Sequence, residues 1–295
     1  MKQNRFMRYD YYYLGCIFMS TINYFNQKST GDIPEIFALG IISTEAYEFA
    51  GSFSPDGKEF FFTRRPTYEG SENRIFSCSF QDGKWTEPKL APFALDIFEF
   101  LPYVAPKGDI LFFSSYRTKP QETTRNGEIW YSLKTEVGWS EAKYLDASFN
   151  KRFTMYITST IDGTLYFTAK DDQKRGIFKS ELKNNIYQEP EYLPMEINSI
   201  SPAHPFIAPD ESYLIMDTQL KGMGMPELYI SFRRSDGGWT EALNMGKTIN
   251  ATSTEYGPSV SPDGKYLFFH RRVGTKGDIY WVSSKIIDKL RKQII

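Results

Sequence analysis

The hydrophobic pattern of this chain repeats five times. Each copy has a short apolar segment, a turn of the Ser-Pro-Asp-Gly type, a second and almost continuously apolar segment, a polar loop and a segment of the Asp-Ile-Tyr type. The third residues of the turns are Asp56, Lys107, Asp162, Asp210 and Asp263, so the spacings are 51, 55, 48 and 53 residues. A repeat of this length with turns inside it predicts a propeller, a solenoid or an array, because one such unit cannot bury its own apolar faces.

Each copy contains four candidate strands, which in the first copy are residues 48–53, 58–64, 74–80 and 85–92. The second strand of every copy is an apolar run without polar alternation. A strand of that kind is covered on both faces. The middle strands of a propeller blade are covered in this way by the neighbouring blades. These runs are residues 60–62, 110–113, 165–167, 213–216 and 266–269.

The last copy lacks a fourth strand and ends in a Lys-rich tail that we expect to form a short helix. Residues 33–39 match the pattern of a fourth strand and precede the first copy. Pairing them with residues 278–282 would close a ring and remove its two open edges. The prediction is therefore an all-β fold: a five-bladed β-propeller of four-stranded antiparallel blades, closed by an N-terminal strand that completes the last blade. We expect one domain over residues 32–295, preceded by a leader at residues 1–31.

The turn residues and the Asp-Ile-Tyr segments carry a family resemblance. A Pro-Asp-Gly turn followed by an apolar strand, with residues such as 278–280 near the end of the copy, resembles the Pro-Asp class of WD-like propeller repeats found in TolB-like proteins. The resemblance covers about residues 33–284. It implies the propeller fold and leaves function open, because members include periplasmic scaffold proteins, noncatalytic domains of peptidases and carbohydrate-active enzymes. TolB-like proteins have six such blades and a separate domain, so five copies argue against a direct TolB role.

Composition and motifs exclude several classes of function. The net charge of −1 provides no field that would attract nucleic acid or an anionic membrane. The two cysteines are too few for a disulfide framework or a structural zinc site. The sequence has no Gly-x-Ser-x-Gly elbow, His-Glu-x-x-His helix, Walker loop or Cys-x-x-Cys pair. We therefore expect no cofactor and no metal, and assign no catalytic residue.

The first thirty residues predict export. Lys2, Arg5 and Arg8 precede an uncharged run at residues 11–26, which has the length of a signal-peptide core and is too short and polar to span a membrane. Residues 13–16 resemble a lipoprotein box, so a lipid anchor on Cys16 would be the only link to a membrane. The expected location is the periplasm or the outer membrane. The alternative is a leader on a cytoplasmic protein.

Charged residues recur at the start of the first strand of three copies. Because the first two strands form a hairpin centred on the turn, Glu48 should lie opposite Arg64, and Glu255 opposite Arg271. Glu99 takes the same place in copy two. These copies would be neighbours in a closed ring, so the glutamates would form a crescent at one rim of the channel.

The other copies complete this rim. Arg117 follows two residues after the position opposite Glu99, and copies three and four place Thr154 and Pro202 opposite Lys170 and Thr218. His204, on the first strand of copy four, could meet the glutamates as a metal ligand or base. The candidate ligand-binding residues are Glu48, Arg64, Glu99, Arg117, Lys170, His204, Glu255 and Arg271. The alternative is that the Glu–Arg pairs only stabilise hairpins. We expect His270 and Cys78 to serve packing.

Three functions remain open. The favoured one is a noncatalytic binding or scaffold module that presents one loop face and the channel mouth to a protein or glycan partner, because the longer loops of the copies lie at that end. The alternative is a carbohydrate-active enzyme, a glycoside hydrolase or lyase, that uses two of the three glutamates. Arginine partners should lower the carboxylate pKa values, which is the wrong direction for a general acid. The third is a sensor or scaffold domain docked to another envelope protein.

Overall fold

The structure is a computed structural model that describes residues 22–118, 127–171, 173–218, 225–251 and 254–294. Within these ranges the chain is nearly all β. The strands form five consecutive antiparallel units, numbered 1 to 5 in chain order, and in each unit the first strand pairs with the second and the second with the third.

The first, second and third strands carry most of the chain. The first strands are Tyr47–Phe53, Glu99–Val104, Thr154–Ser159, Pro202–Ile207 and Thr254–Val260. The second strands are Glu59–Arg65, Ile110–Ser115, Leu165–Lys170, Tyr213–Thr218 and Tyr266–Val273. The third strands are Arg74–Gln81, Glu128–Thr135, Arg175–Ser180, Glu227–Phe232 and Lys276–Ser283.

The fourth strands are shorter than the sequence pattern predicted. They are Lys89–Leu90, Lys143–Tyr144, Glu191–Tyr192, Leu243–Asn244 and, next to the third strand of unit 5, Glu35–Ile36. In unit 1 the expected strand at residues 85–92 is split, because Pro88 offers no N–H to the ladder. Trp85 instead belongs to a small hairpin at the end of the third strand. The hairpin segments are Lys84–Trp85, Gly138–Trp139, Leu182–Lys183 and Ile186–Tyr187.

The N-terminal segment pairs with the end of the chain. Glu35 lies opposite Trp281 and Ile36 opposite Tyr280, and the Phe37 N–H donates to the Ile279 carbonyl at 2.8 Å. The Lys-rich tail forms the expected helix, Lys285–Arg291. Two further single turns, the α-helix Met195–Asn198 and the 3₁₀ helix Ser148–Lys151, lie between units.

Residues 22–30 belong to the packed structure, although the sequence analysis assigned them to the leader. The Tyr24 hydroxyl donates to Asp263 at 2.7 Å, and the Phe25 ring stacks on Trp85 at 4.2 Å between centroids. Both aromatic side chains are buried. The packed part of the chain therefore begins at or before Ile22, because these rings gain apolar burial that a free leader would not provide.

The turns fix the register of each hairpin. Glu48 lies opposite Arg64, Glu255 opposite Arg271 and Pro202 opposite Thr218, as the turn-centred pairing predicts. Unit 3 differs, because Thr154 lies opposite Ala169 rather than Lys170. Its turn is one residue tighter: the Thr160 N–H donates to the carbonyl four residues later, whereas the other turns reach five residues.

The second strands form the core, as their composition predicts. Phe60, Phe61 and Phe62 are all buried although consecutive side chains of a strand point to opposite faces. The sheet of unit 1 is thus covered on both sides. The equivalent runs Leu165–Phe167 and Leu214–Met216 are buried in the same way.

The first strands contact one another in sequence, and that of unit 5 contacts that of unit 1. Each first strand has an inner edge without a sheet partner, apart from the parallel bridge between Tyr47 and Gly277 in unit 1, and the N–H groups of this edge need partners away from water. Side chains of the preceding unit supply them: Leu101 donates to Thr63 Oγ1 at 2.9 Å, and Val104 to Ser52 Oγ at 3.0 Å. Further bonds of this kind are Ser159 N to Tyr103 OH, His204 N to Thr168 Oγ1, Ile207 N to Thr158 Oγ1 and Gly257 N to Asp217 Oδ1.

Three of the connections between units are each held by one buried asparagine, a residue that was not among the predicted ones. Asn198 accepts the Ile177 N–H at 2.8 Å and donates to the Ile177 and Leu193 carbonyls at 3.0 and 2.8 Å. Asn150 and Asn250 bond the third strands of units 2 and 4 in the same way. Their spacing follows the repeat, and this regularity was the available signal.

We expect Asn198→Ala to lower the free energy of unfolding by about 3 kcal/mol, because it leaves a buried N–H and buried carbonyls without partners. Urea denaturation measures the change. Gln173→Ala, which truncates an exposed amide side chain, is the control and should leave the midpoint unchanged. Equal midpoints for the two variants would contradict a structural role for the asparagine.

Candidate functional site

The predicted site residues lie at the end where the chain enters each first strand, which we call the entry face. The three Glu–Arg pairs form there. Arg64 Nε lies 2.8 Å from Glu48, Arg117 Nε 2.6 Å from Glu99, and Arg271 Nε 2.8 Å from Glu255. Each glutamate lies on the first strand of its unit; Arg64 and Arg271 lie on the second strand, and Arg117 follows two residues after the second strand of unit 2 ends.

Each pair also fastens the connection that leads into its first strand. The Arg64 Nη2 donates to the Ile41 and Ile42 carbonyls, both at 3.0 Å, and the Glu48 carboxylate accepts the Thr44 hydroxyl at 2.6 Å. Arg117 and Arg271 repeat this contact on the Phe93 and Ile249 carbonyls. The contacts go beyond a simple cross-strand pair, because they tie backbone outside the hairpin.

Burial sets the chemistry of the glutamates. Glu48, Glu99 and Glu255 are each 0% exposed. The pKa of Glu48 and that of Glu255 are raised, because burial outweighs the hydrogen bonds and the arginines that favour the charged form. The expectation of a lowered pKa is therefore wrong for these two.

The glutamates do not form an open crescent either. A carboxylate without exposed surface cannot contact a ligand unless its ion pair first breaks, so these side chains support the entry face rather than line it. Lys170 is exposed at the end of its strand, where its N–H donates to the Phe153 carbonyl. The Lys170 side chain is therefore available to solvent but is not joined to the Glu–Arg pairs.

His204 has a different carboxylate partner from the one expected. Its Nδ1 lies 2.8 Å from Asp217 Oδ1, on the second strand of the same unit, and no glutamate contacts it. The Asp217 side chain is 4% exposed and the His204 side chain 18% exposed. Among the described residues Nε2 has no hydrogen-bond partner. Asp217 therefore holds one ring nitrogen and leaves the other for a ligand.

The backbone at His204 is strained. Its φ is 46°, in the left-handed region that costs a residue with a side chain about 1 to 3 kcal/mol. The equivalent residues of the other units, at the same bulge of the first strand, are Ala50, Leu101, Tyr156 and Gly257, all with positive φ. The strain thus belongs to the fold, and the His204 ring lies between first-strand residues of units 3 and 5, Tyr156 and Tyr256.

Aromatic rings surround His204. The Tyr156 ring lies 5.0 Å from the imidazole and the Tyr256 ring 5.6 Å, measured between centroids. The Tyr156 hydroxyl reaches across to the Pro258 carbonyl at 2.8 Å. A separate cavity of about 280 Å³ lies on the face of the Pro-Asp turns and is lined by Phe53, Tyr103 and Phe206.

His270 completes a hydrogen-bonded chain beside this group. Its Nδ1–H donates to the Glu48 carbonyl at 2.7 Å, and its Nε2 accepts the Tyr47 hydroxyl at 2.8 Å. The Tyr256 ring lies against the His270 ring, 4.4 Å between centroids. Burial lowers the pKa of His270 to about 3, so the ring is neutral at physiological pH and fixes the direction of the chain. Its structural role agrees with the packing role expected from the sequence.

The described residues hold no group of three or more His, Cys, Asp or Glu side chains that could bind a metal. Cys78 is buried in a strand, and burial raises the pKa of its thiol to about 12. No helix in the described part of the chain is long and apolar enough to cross a membrane. The leader residues 1–21, and Cys16 with them, lie outside the described residues.

We expect Glu48→Ala to lower the free energy of unfolding by about 3 to 5 kcal/mol, since it leaves Arg64 without its partner in a buried setting. Urea denaturation again measures the change. Glu45→Ala, which breaks the exposed pair with Lys276, is the matched control and should have no measurable effect. Equal stability of E48A and wild type would show that the buried pair does not hold the connection.

His270 should make stability depend on pH. Its pKa is about 3 in the folded state and about 6.5 unfolded, so the unfolded chain binds the proton first as the pH falls. The free energy of unfolding that the neutral His270 ring contributes is fully present above pH 6.5. Below that pH it is lost at up to about 1.4 kcal/mol per pH unit. Urea midpoints at pH 7, 6, 5 and 4 should therefore fall more steeply for wild type than for His270→Gln. Parallel pH curves would contradict this assignment.

Comparison with known proteins yields matches to structures alone. No family model matches this chain, and no curated protein does. The endo-arabinase of Bacteroides thetaiotaomicron matches 87% of this chain and 97% of its own at 13% identity, with a TM-score of 0.52. The match to the catalytic domain of the Coprinopsis cinerea GH62 α-L-arabinofuranosidase covers 86% of this chain and 97% of that domain at 9% identity, with a TM-score of 0.50. The match to a GH62 hydrolase in complex with xylotriose covers 88% of this chain and 98% of the hydrolase chain at 10% identity, with a TM-score of 0.51.

These likenesses show a propeller-type fold. At this level of identity they show the fold alone, and they do not single out the Pro-Asp repeat class. They also correct the functional preference drawn from the sequence, the noncatalytic binding or scaffold module, because the proteins that share the fold over most of both chains are named as an endo-arabinase, an α-L-arabinofuranosidase and a GH62 hydrolase.

Proposed function

We propose that the chain is a closed five-bladed propeller of the Pro-Asp class, exported by its leader, with residues 22–295 acting as one domain. The five sequential units, the pairing of Glu35–Ile36 with the last unit and the contact between the first strands of units 5 and 1 support this architecture. On this basis the first strands surround an axis, and His204 lies on that axis near the entry face.

We further propose that the protein is a carbohydrate-active enzyme whose active site is the axial mouth of the entry face. The observation that carries this proposal is the His204–Asp217 pair, in which a buried carboxylate orients an imidazole that keeps a free nitrogen and exposed surface. A carboxylate bonded to Nδ1 fixes the ring and its tautomer and stabilises the imidazolium that forms when Nε2 takes up a proton. His204 is therefore the acid–base group, and Asp217 is the residue that positions it.

Asp217 is itself held firmly. Besides His204, its Oδ1 accepts the Gly257 N–H from the next unit at 3.1 Å. The carboxylate is thereby fixed by two elements, which is the support that a catalytic pair needs. The partly exposed Tyr256 ring beside His204 provides apolar surface for the face of a sugar ring, and the buried Tyr156 ring supports the imidazole from the other side.

A hydrolase with two free carboxylates is less well supported. That mechanism needs an acid and a base about 5 to 10 Å apart with access to the substrate. Glu48, Glu99 and Glu255 are fully buried in ion pairs, and Asp217 is occupied by His204. A reaction in which His204 moves the proton fits the described residues better.

We expect His204→Ala to reduce turnover of a glycan substrate by about 10² to 10⁴-fold, since this is the usual contribution of one acid–base group. Asp217→Asn should reduce turnover as well, because an amide no longer stabilises the imidazolium. The assay measures released reducing ends and new ultraviolet absorbance over a panel of neutral and acidic polysaccharides, so hydrolysis and elimination are both detected.

Asp236→Asn, an exposed change in a tight turn between strands, is the control and should retain full activity. Urea midpoints of all variants confirm that the fold is kept. Wild-type activity that survives unchanged in His204→Ala would overturn the assignment of the base. Absence of wild-type activity on the whole panel would overturn the enzyme proposal itself.

A further inference from the structure

Two arginines at the entry face have no carboxylate partner in the described part of the chain. Arg65 ends the second strand of unit 1, opposite Tyr47, and Arg272 takes the equivalent place in unit 5, opposite Thr254. Their sequence neighbours Arg64 and Arg271 are both paired with buried glutamates. Arg65 and Arg272 form no ion pair with any described residue.

The contacts of Arg272 leave its charge uncompensated. Its Nη1 donates to the Gly274 carbonyl at 2.9 Å, and its Nη2 donates to the Thr254 hydroxyl at 3.1 Å. Both acceptors are neutral. They fix the direction of the guanidinium without satisfying its charge.

Arg65 is held even less by hydrogen bonds. Its guanidinium lies over the Tyr47 ring, 4.1 Å from the centroid, and its buried Nε has no hydrogen-bond partner. A buried N–H without a partner is costly, unless a ligand completes it. Stacking on an aromatic ring holds the guanidinium in place and leaves its hydrogen-bonding edge unused.

The two guanidiniums share one aromatic ring. The Tyr68 centroid lies 5.7 Å from Arg65 Cζ and 4.7 Å from Arg272 Cζ. Two unpaired cations near one ring repel each other, and a single anion between them would remove this cost. Their positive field also acts on their surroundings, since both contribute to the lowered pKa of His270.

The group is accessible and close to the proposed active site. Both arginines are partly exposed, and Arg65, but not Arg272, also lines a cavity of about 190 Å³ that contains Glu72 and Asp96, neither of which forms an ion pair with Arg65 or Arg272. The Tyr47 ring beneath Arg65 contacts the His270 ring, which contacts the Tyr256 ring, and the Tyr256 ring contacts His204. The two arginines and the His204–Asp217 pair thus lie within one contiguous group of aromatic residues.

From these contacts we infer that Arg65 and Arg272 form an anion subsite that binds the carboxylate of an acidic sugar. Arginine presents paired N–H groups that match the two oxygens of a carboxylate. The equivalent position holds Tyr116 in unit 2 and Lys170 in unit 3, and it holds an arginine in the adjacent units 5 and 1, whose guanidiniums meet at Tyr68. The inference rests on the proposed function and names its substrate class: glycans that contain uronic acids.

Binding measurements test the subsite without requiring turnover. The probes are trisaccharides of galacturonate, glucuronate and mannuronate, each with its methyl ester, titrated calorimetrically into the full chain. We expect wild type to bind at least one acid at least tenfold more tightly than its ester. Arg65→Gln and Arg272→Gln should each remove most of this preference and leave binding of the ester unchanged, and Arg65→Lys should retain part of it.

Arg74→Gln is the matched control, because it removes a cation from the same cavity that is already paired with Asp96; the acid preference should change less than twofold. Urea midpoints exclude unfolding as a cause. Equal binding of acid and ester, no binding of any probe, or an acid preference that survives in both glutamine variants would overturn the subsite. Inorganic phosphate or sulfate that binds through the arginines while no sugar acid binds would overturn the sugar assignment.

Failure of the anion subsite can be distinguished from failure of the proposed enzymatic function. Loss of activity on exchange of His204 is measured by turnover, whereas the acid preference is measured by binding in any variant that folds. His204→Ala should bind the acid and its ester with the wild-type preference. An arginine-dependent acid preference in a protein without turnover would retain the subsite and remove the enzyme.

Discussion

The free inner edges of the first strands are the constraint on which the rest of the structure depends. The first strands of neighbouring units contact one another without pairing as a sheet, and their N–H groups are shielded from water. Thr63, Thr168 and Asp217 each supply an acceptor from the preceding unit to a bulged residue. The units are joined by these side chains as well as by apolar contact, so the polar residues of the second strand are part of the core.

The His204–Asp217 pair arises from the same side-chain hydrogen bonds between units. The second-strand positions that face the bulges hold Thr63, Ser114, Thr168, Asp217 and His270. In unit 4 the acceptor is a carboxylate rather than a hydroxyl, and the bulged residue of that unit is a histidine. One aspartate therefore joins two units and orients His204. Because the structural bond already fixes the carboxylate, the imidazole is positioned at little additional cost in side-chain entropy.

The charged residues of the entry face divide into two sets with opposite roles. Arg64, Arg117 and Arg271 each neutralise a buried glutamate and fasten a connection, so they stabilise the fold. Arg65 and Arg272 are the next residues along two of the same strands and lie over Tyr47 and Tyr68, and they form no ion pair with a described residue. Since successive residues of a strand face opposite sides, adjacent arginines serve packing on one side and face the proposed site on the other.

The sequence by itself determined the repeat, the all-β class, the strand order and the partner of Glu35–Ile36, because turn chemistry and apolar runs are local signals that recur with the repeat. It also placed Glu48 opposite Arg64, since a hairpin centred on a known turn fixes its own register. Only the tertiary structure decided that the glutamates are buried, that Asp217 rather than a glutamate holds His204, and that Arg65 and Arg272 meet at Tyr68. These facts depend on which neighbouring unit covers a side chain and on one-residue bulges and turns. The hydrophobic pattern of the sequence predicts neither the covering unit nor the bulges and turns.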